Sequence, residues 1–153
     1  MLTIKPYIMF SRLVVIFLVL LANTCSRNKA TQQQITSIQQ KRWSLTEMEG
    51  QKLTNSPVWL EFDATARRFN GNGGCNKVAG EYELTGNEIT FKKVISTRMA
   101  CIDAASNERE SALLRMLNDR TYTVRMEEQQ LQFRDSGRVA LQFTGKTKVK
   151  NTK

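Results

Sequence analysis

From Trp43 to Phe143 the chain alternates apolar and polar positions with a period of two. In "VWLEF" one face carries Val58, Leu60 and Phe62. "YEL" and "ITF" do the same with Tyr82 and Leu84, then Ile89 and Phe91, around the turn "TGNE". "YTVRM", "LQF" and "VALQF" continue it with Tyr122, Val124 and Met126, then Leu131 and Phe133, then Val139, Leu141 and Phe143. The connector "RDSGR" has the composition of a hairpin turn. Such one-sided alternation predicts antiparallel strands with a single buried face.

One segment breaks the rhythm. In "SNERESALLRMLND", Ala112, Leu113 and Leu117 recur at helical spacing and Leu114 widens the stripe. Asn107, with Glu110 three positions on, reads as an N-cap and its acidic partner. The pattern therefore predicts an α+β fold in a single domain. Its sheet is antiparallel, a strongly curved sheet or open barrel of roughly seven or eight short strands. One main helix of about ten to twelve residues plugs or covers it. Apolar side chains lining such a sheet form either a filled core or a pocket, and a filled core is the default at this size.

Ahead of the alternating region lies a different texture. "MLTIKPYIMFSR" carries Lys5 and Arg12, "LVVIFLVLLA" (13–22) is wholly apolar, and "NTCS" follows. A basic start, an apolar run of about ten residues and a polar exit form the pattern of an export signal. The run is short for a permanent membrane span. Cys25, just beyond it, resembles the lipidated cysteine of bacterial lipoproteins. The residues before it, Ala22, Asn23 and Thr24, depart from the usual Leu, small residue and Gly, Ala or Ser. "SRNKATQQQITSIQQK" (26–41) is polar and Gln-rich and reads as a flexible tether. The expected organisation is a lipoprotein-type signal (1–24), a lipidated Cys25 with tether (25–41), the domain (42–145) and a basic tail (146–153). That address is the bacterial cell envelope, with attachment to a membrane through a lipid anchor.

Charge changes this picture little. The net charge is +9, but six basic residues precede position 43 and four lysines follow position 145, with no acids in either segment. Between them thirteen basic residues face fourteen acidic ones. A nucleic-acid partner is therefore not expected, since such proteins carry a basic face on the fold itself.

Composition also limits the chemistry. The chain has no histidine, so no Ser-His or Cys-His pair and no imidazole metal ligand can form. No residue cluster has metal-ligand spacing, and no metal, cofactor or catalytic residue is expected. With Cys25 assigned to lipid, Cys75 and Cys101 remain. In an exported protein two such cysteines are expected to form a disulfide. Two free thiols, or a reactive pair with Lys77 or Arg98 as the activating cation, are the alternatives. The glycines of "NGNGG" lack the Lys-Ser/Thr of a phosphate-binding loop, so a tight turn is the simpler reading. Glu110 falls on the inward stripe of the helix, where a bare carboxylate is costly. It either caps the helix or ties to the glycine loop or to Arg98.

Several short motifs now stand together: Trp43 and Leu45 in "W-x-L", "FNGNGGCN" (69–76), "GEY" (80–82), "GNEITF" (86–91), "STRMAC" (96–101), and the helix start "NERE". In combination they resemble the META domain, or HslJ-like, family over essentially the whole folded part. The resemblance implies a compact domain rich in antiparallel strands, in secreted or membrane-anchored bacterial proteins tied to stress tolerance and antibiotic resistance or virulence. It implies no established catalytic activity. It marks Gly73, Gly74, Asn76, Arg98, Met99 and Glu110, beside the two cysteines, as motif residues with structural roles. The expected function is binding of a protein, a lipid or a small apolar ligand. The rival from another class is a thiol-dependent enzyme or redox protein using Cys75 and Cys101.

Overall fold

The computed structural model describes residues 38–39, 41–99 and 101–147. The apolar segment, Cys25, most of the tether and the end of the tail lie outside the described residues. Among the described residues, nine antiparallel strands and one main helix follow in chain order. They are β1 (Lys41–Met48), β2 (Gln51–Lys52), β3 (Trp59–Asp63), β4 (Arg68–Asn72), β5 (Lys77–Thr85), β6 (Glu88–Ser96), α1 (Ala104–Leu117), β7 (Thr121–Glu127), β8 (Gln130–Asp135) and β9 (Arg138–Thr147). The sheet order is β2-β1-β3-β4-β5-β6-β7-β8-β9, and β9 also pairs with β1. The pairing therefore closes on itself into a ring, with the two-residue β2 outside it. Only three residue pairs join β6 to β7, from Glu88 to Thr90, and α1 connects these two strands.

The α+β, single-domain expectation holds, with two refinements. The helix is 14 residues long, and the glycine-rich stretch contributes a strand. Phe69 and Gly71 in β4 are both buried, because the alternation of the neighbouring strands continues through it. Gly71 is required by proximity: a Cβ there would overlap the main-chain carbonyl of Trp59. Gly80, opposite Phe69 on β5, leaves room for the Phe69 ring, which lies over it.

The inward residues named above meet in the centre, except Val139, which a register shift in β9 turns away from the core while Ala140 packs against it. Phe91 lies 5.3 Å from both Phe69 and Phe133, and Phe62 lies 5.2 Å from Tyr82. These edge-on aromatic pairs add to the burial of their area. Between the filled core and the pocket, the inward face is a filled core. Ordered structure extends past positions 42 and 145 at both ends. Ile38 is 1% exposed, and its carbonyl accepts the Trp43 indole N–H at 2.8 Å. At the other end β9 continues through Lys146 and Thr147 to pair with Arg42 and Lys41.

The helix start differs from the expectation. The N-cap is Asp103, whose carboxylate accepts from Ala105 N at 3.2 Å and Ser106 N at 3.0 Å. Asn107 is a full turn inside the helix, and its side chain donates to the Cys101 carbonyl. The box of Asn107 and Glu110 matched in sequence, but Glu110 faces inward with Leu113 and Leu117, where it cannot reach back to a cap. Asp103→Ala should therefore lower stability, because the first-turn N–H groups of Ala105 and Ser106 lose their acceptor. Urea denaturation measures it, and Asn107→Ala should cost less.

Candidate functional site

Three segments converge where the sequence concentrated its motifs. The first is the β4–β5 loop, Gly73 to Asn76. The second is the connector from β6 to α1, which contains Thr97, Arg98, Met99 and Cys101. The third is the second turn of α1, which presents Glu110. The sequence shapes the loop locally. Gly73 N–H donates to the Asn76 carbonyl at 2.8 Å, and Gly74 N–H donates to the Asn72 side chain at 2.7 Å. Gly74 sits at a φ of +132°, in a region that favours glycine. Gly73 gives the Glu110 side chain space to pack, since a Cβ there would stand 3.0 Å from its Cγ.

Glu110 is 7% exposed and Asn76 3%. The carboxylate accepts four hydrogen bonds. Its Oε2 takes the main-chain N–H of Asn76 at 2.7 Å and of Cys75 at 3.2 Å. Its Oε1 takes Asn76 Nδ2 at 2.8 Å and the Ser96 hydroxyl at 3.1 Å. Asn76 in turn fixes the connector: its Oδ1 accepts Met99 N–H at 2.6 Å and the Thr97 hydroxyl at 3.0 Å. A disulfide joins Cys75 to Cys101, with Cα atoms 6.0 Å apart. Loop, connector and helix are thus tied together by one covalent bond and one polar network.

Electrostatics follows from this arrangement. Burial pushes the Glu110 carboxyl pKa up, but the donors from Asn76, Cys75 and Ser96 outweigh it and hold it below its ordinary value of 4.5. The carboxylate is therefore ionised at neutral pH, with its acceptor positions occupied by its own chain. Of the two roles open to Glu110, a helix cap or a tie, it takes the tie, and the partner is the glycine loop. Arg98 is exposed, with a φ of +26°, and no ion pair joins it to Glu110. Met99 enters the network through its backbone, while its side chain is 62% exposed.

The structure thus brings together Gly73, Gly74, Cys75, Asn76, Cys101 and Glu110, and leaves the Arg98 side chain outside. The two-free-thiol alternative is set aside by the disulfide. Cys25 lies outside the described residues. Ser96 and Thr97 are the participants that the sequence did not single out. Ser96 and Thr97 were legible only as part of "STRMAC", because hydroxyls bound to Glu110, 14 residues away, and to Asn76, 21 residues away, leave no local pattern. On the strand surface Glu81 pairs with Lys93 at 3.0 Å and Glu83 with Lys92 at 2.8 Å.

A ring of antiparallel strands, carrying one helix clasped to a Gly-Gly-Cys-Asn loop, defines a small and recognisable class of domain. The sequence model of the META domain family matches residues 36–148, and the chain belongs to that family. Over 82 residues it is 27% identical to heat shock protein HslJ of Escherichia coli (strain K12), covering 54% of this chain. The match spans 59% of that relative's length. The fold is also similar to two solution NMR structures. One has a TM-score of 0.58 at 25% identity, covering 72% of this chain and 92% of the other. The second, of a protein from Burkholderia xenovorans, has a TM-score of 0.57 at 26% identity, covering 74% and 87%.

Proposed function

We propose that this chain is a non-enzymatic META-domain lipoprotein of the bacterial envelope. It is held to a membrane through Cys25 and binds a protein, a lipid or a small apolar ligand in stress or antibiotic tolerance. One observation carries the non-enzymatic reading. Glu110, the buried carboxylate beside the cysteines, accepts four hydrogen bonds from its own chain, and the adjacent thiols are joined. A general base must be free to take a proton and a thiol nucleophile must be a thiolate. Residues 1–25 support export, and a stabilising disulfide suits an oxidising compartment. The name of the relative HslJ supports a part in stress.

Cell fractionation, mass spectrometry of the mature N-terminus and heat or antibiotic challenge of a deletion strain test the proposal together. The wild-type protein is expected in the membrane fraction with an acylated Cys25, and Cys25→Ser should leave it. A Cys75→Ser/Cys101→Ser variant that reaches normal levels should restore tolerance to the deletion strain. If it is abundant and folded yet restores nothing, the thiol-dependent reading replaces this one.

A further inference from the structure

A groove of about 550 Å³ shares no residue with the Glu110 clasp. It opens between the β1–β2 turn, the C-terminal end of α1 and the β8–β9 hairpin. Its floor is apolar: Met116, Tyr122, Val139 and Ala140. Its rim carries Glu47, Glu49 and Asp135 together with Arg120 and Arg138.

Two β-bulges shape it. In β1, Leu45 stands opposite Phe143 and Glu47 opposite Gln142, so the strand gains a residue between them. The extra residue sends Met48 to the core and leaves Glu47 at the groove. In β9, Phe133 stands opposite Leu141 and Arg134 opposite Val139, so Ala140 is the extra residue, and its carbonyl accepts Glu49 N–H at 2.8 Å. Bulges bend strands and re-aim side chains, and they recur at the rims of curved sheets and beside binding sites. Here two of them meet at one groove.

The rim charges are of both signs, and none is ion-paired with another. No ion pair of 4.0 Å or less forms among Glu47, Glu49, Asp135, Arg120 and Arg138. Asp135 accepts a bond from the neighbouring Ser136 hydroxyl. The phenol of Tyr122, raised in pKa first by burial, also senses Arg120, Asp135 and Glu49, so both signs converge over the same floor. The Tyr122 hydroxyl donates to the Met116 carbonyl, which fixes the ring.

A purely anionic ligand in this groove would face three carboxylates, and a purely cationic one two guanidiniums. A wholly apolar ligand would cover charges without pairing them, which is costly. We propose that the groove binds a small zwitterion with an apolar side chain, of the amino-acid or short-peptide class. Its ammonium sits by Glu47 and Glu49, its carboxylate takes Arg120 and Arg138, and its side chain lies on Tyr122, Met116 and Val139. The volume falls within the usual range of about 300–1,000 Å³ for small-ligand pockets.

Titration of the ¹⁵N-labelled full chain in detergent micelles with leucyl-alanine, followed by amide chemical shifts, tests this. The shifts are expected to centre on Gly50, Arg120, Tyr122 and Val139. The doubly capped N-acetyl-leucyl-alaninamide should bind at least about tenfold more weakly, having lost both charge-assisted sets of bonds. Glu47→Gln/Glu49→Gln should weaken leucyl-alanine about as much. No shifts at these residues up to about 10 mM ligand, or equal affinity for the capped compound, would overturn the proposal. The capped comparison uses the unaltered protein, so the result does not depend on a variant folding. The titration is also independent of where the chain resides, so its failure would leave the envelope reading standing.

Discussion

Glu110→Ala is expected to destabilise the domain by about 4 kcal/mol. The carboxylate is 7% exposed and is the shared acceptor of four donors on two other segments. Truncation strands the N–H groups of Cys75 and Asn76, one N–H of the Asn76 amide and the Ser96 hydroxyl. Each buried donor left without a partner costs about 1–3 kcal/mol, and water entering the space recovers part of that. For a domain near 110 residues the loss corresponds to about 15–20 °C in Tm. Glu110→Gln separates shape from charge. Its carbonyl can accept from one side, but its NH2 must then face donors on the other, so about 2 kcal/mol should still be lost. Urea and thermal denaturation measure both, and a Gln variant as stable as the parent would show that the carboxylate is not the clasp.

The same group makes an acid-linked prediction whose sign is fixed. The folded-state pKa of Glu110 lies below its ordinary value of 4.5, so the unfolded chain takes up the proton first as pH falls. The stabilisation is complete above about pH 4.5 and is lost as pH drops through the lower folded-state value. Above that window the profile should be indifferent to Glu110. Glu110→Gln should therefore show a smaller fall in stability between pH 5 and pH 3 than the parent, roughly parallel to it above pH 6. Denaturant midpoints across that range provide the comparison.

What could be read beforehand depended on whether a signal was local. Tyr82, Phe91, Phe133 and Phe143 advertise their inward face through alternation with polar neighbours, so strands and core were legible. The membership of Phe69–Asn72 in a strand was not, because Gly71 is there to admit a neighbouring backbone and carries no side-chain signal. Glu110 was visible as a carboxylate on an apolar stripe, which posed the right question. Its partners were not determined by spacing, since Ser96, Cys75 and Asn76 reach it only after the ring has closed. The cap went astray for a related reason. Asn107 satisfies a local rule, whereas Asp103 satisfies the geometry of a connector whose path is set by Asn76 and Cys101. The groove at Glu49 and Arg138 had no sequence signature, because it is made by two bulges.

Removing the disulfide by Cys75→Ser/Cys101→Ser should cost about 3.5 kcal/mol, the loop-closure entropy for a cross-link spanning 26 residues. The double variant avoids leaving one unpaired thiol to form mixed disulfides. The disulfide and the carboxylate clasp end on the same loop, so their losses should not simply add. With the disulfide intact, the loop N–H groups stranded by Glu110→Ala stay pressed against the helix and pay their full desolvation. Without it, the Gly73–Asn76 loop can fray and recover those bonds from water. The triple variant should therefore lose less than the sum of the two losses, by about 1 kcal/mol. Full additivity would mean that the disulfide acts on the unfolded chain alone, while a larger-than-additive loss would mean that each tie holds the loop when the other is gone. A positive coupling of the expected sign would identify Gly73–Asn76 as a unit that opens locally, and amide exchange at Cys75 and Asn76 should then accelerate in the double variant before the core at Phe91 is affected.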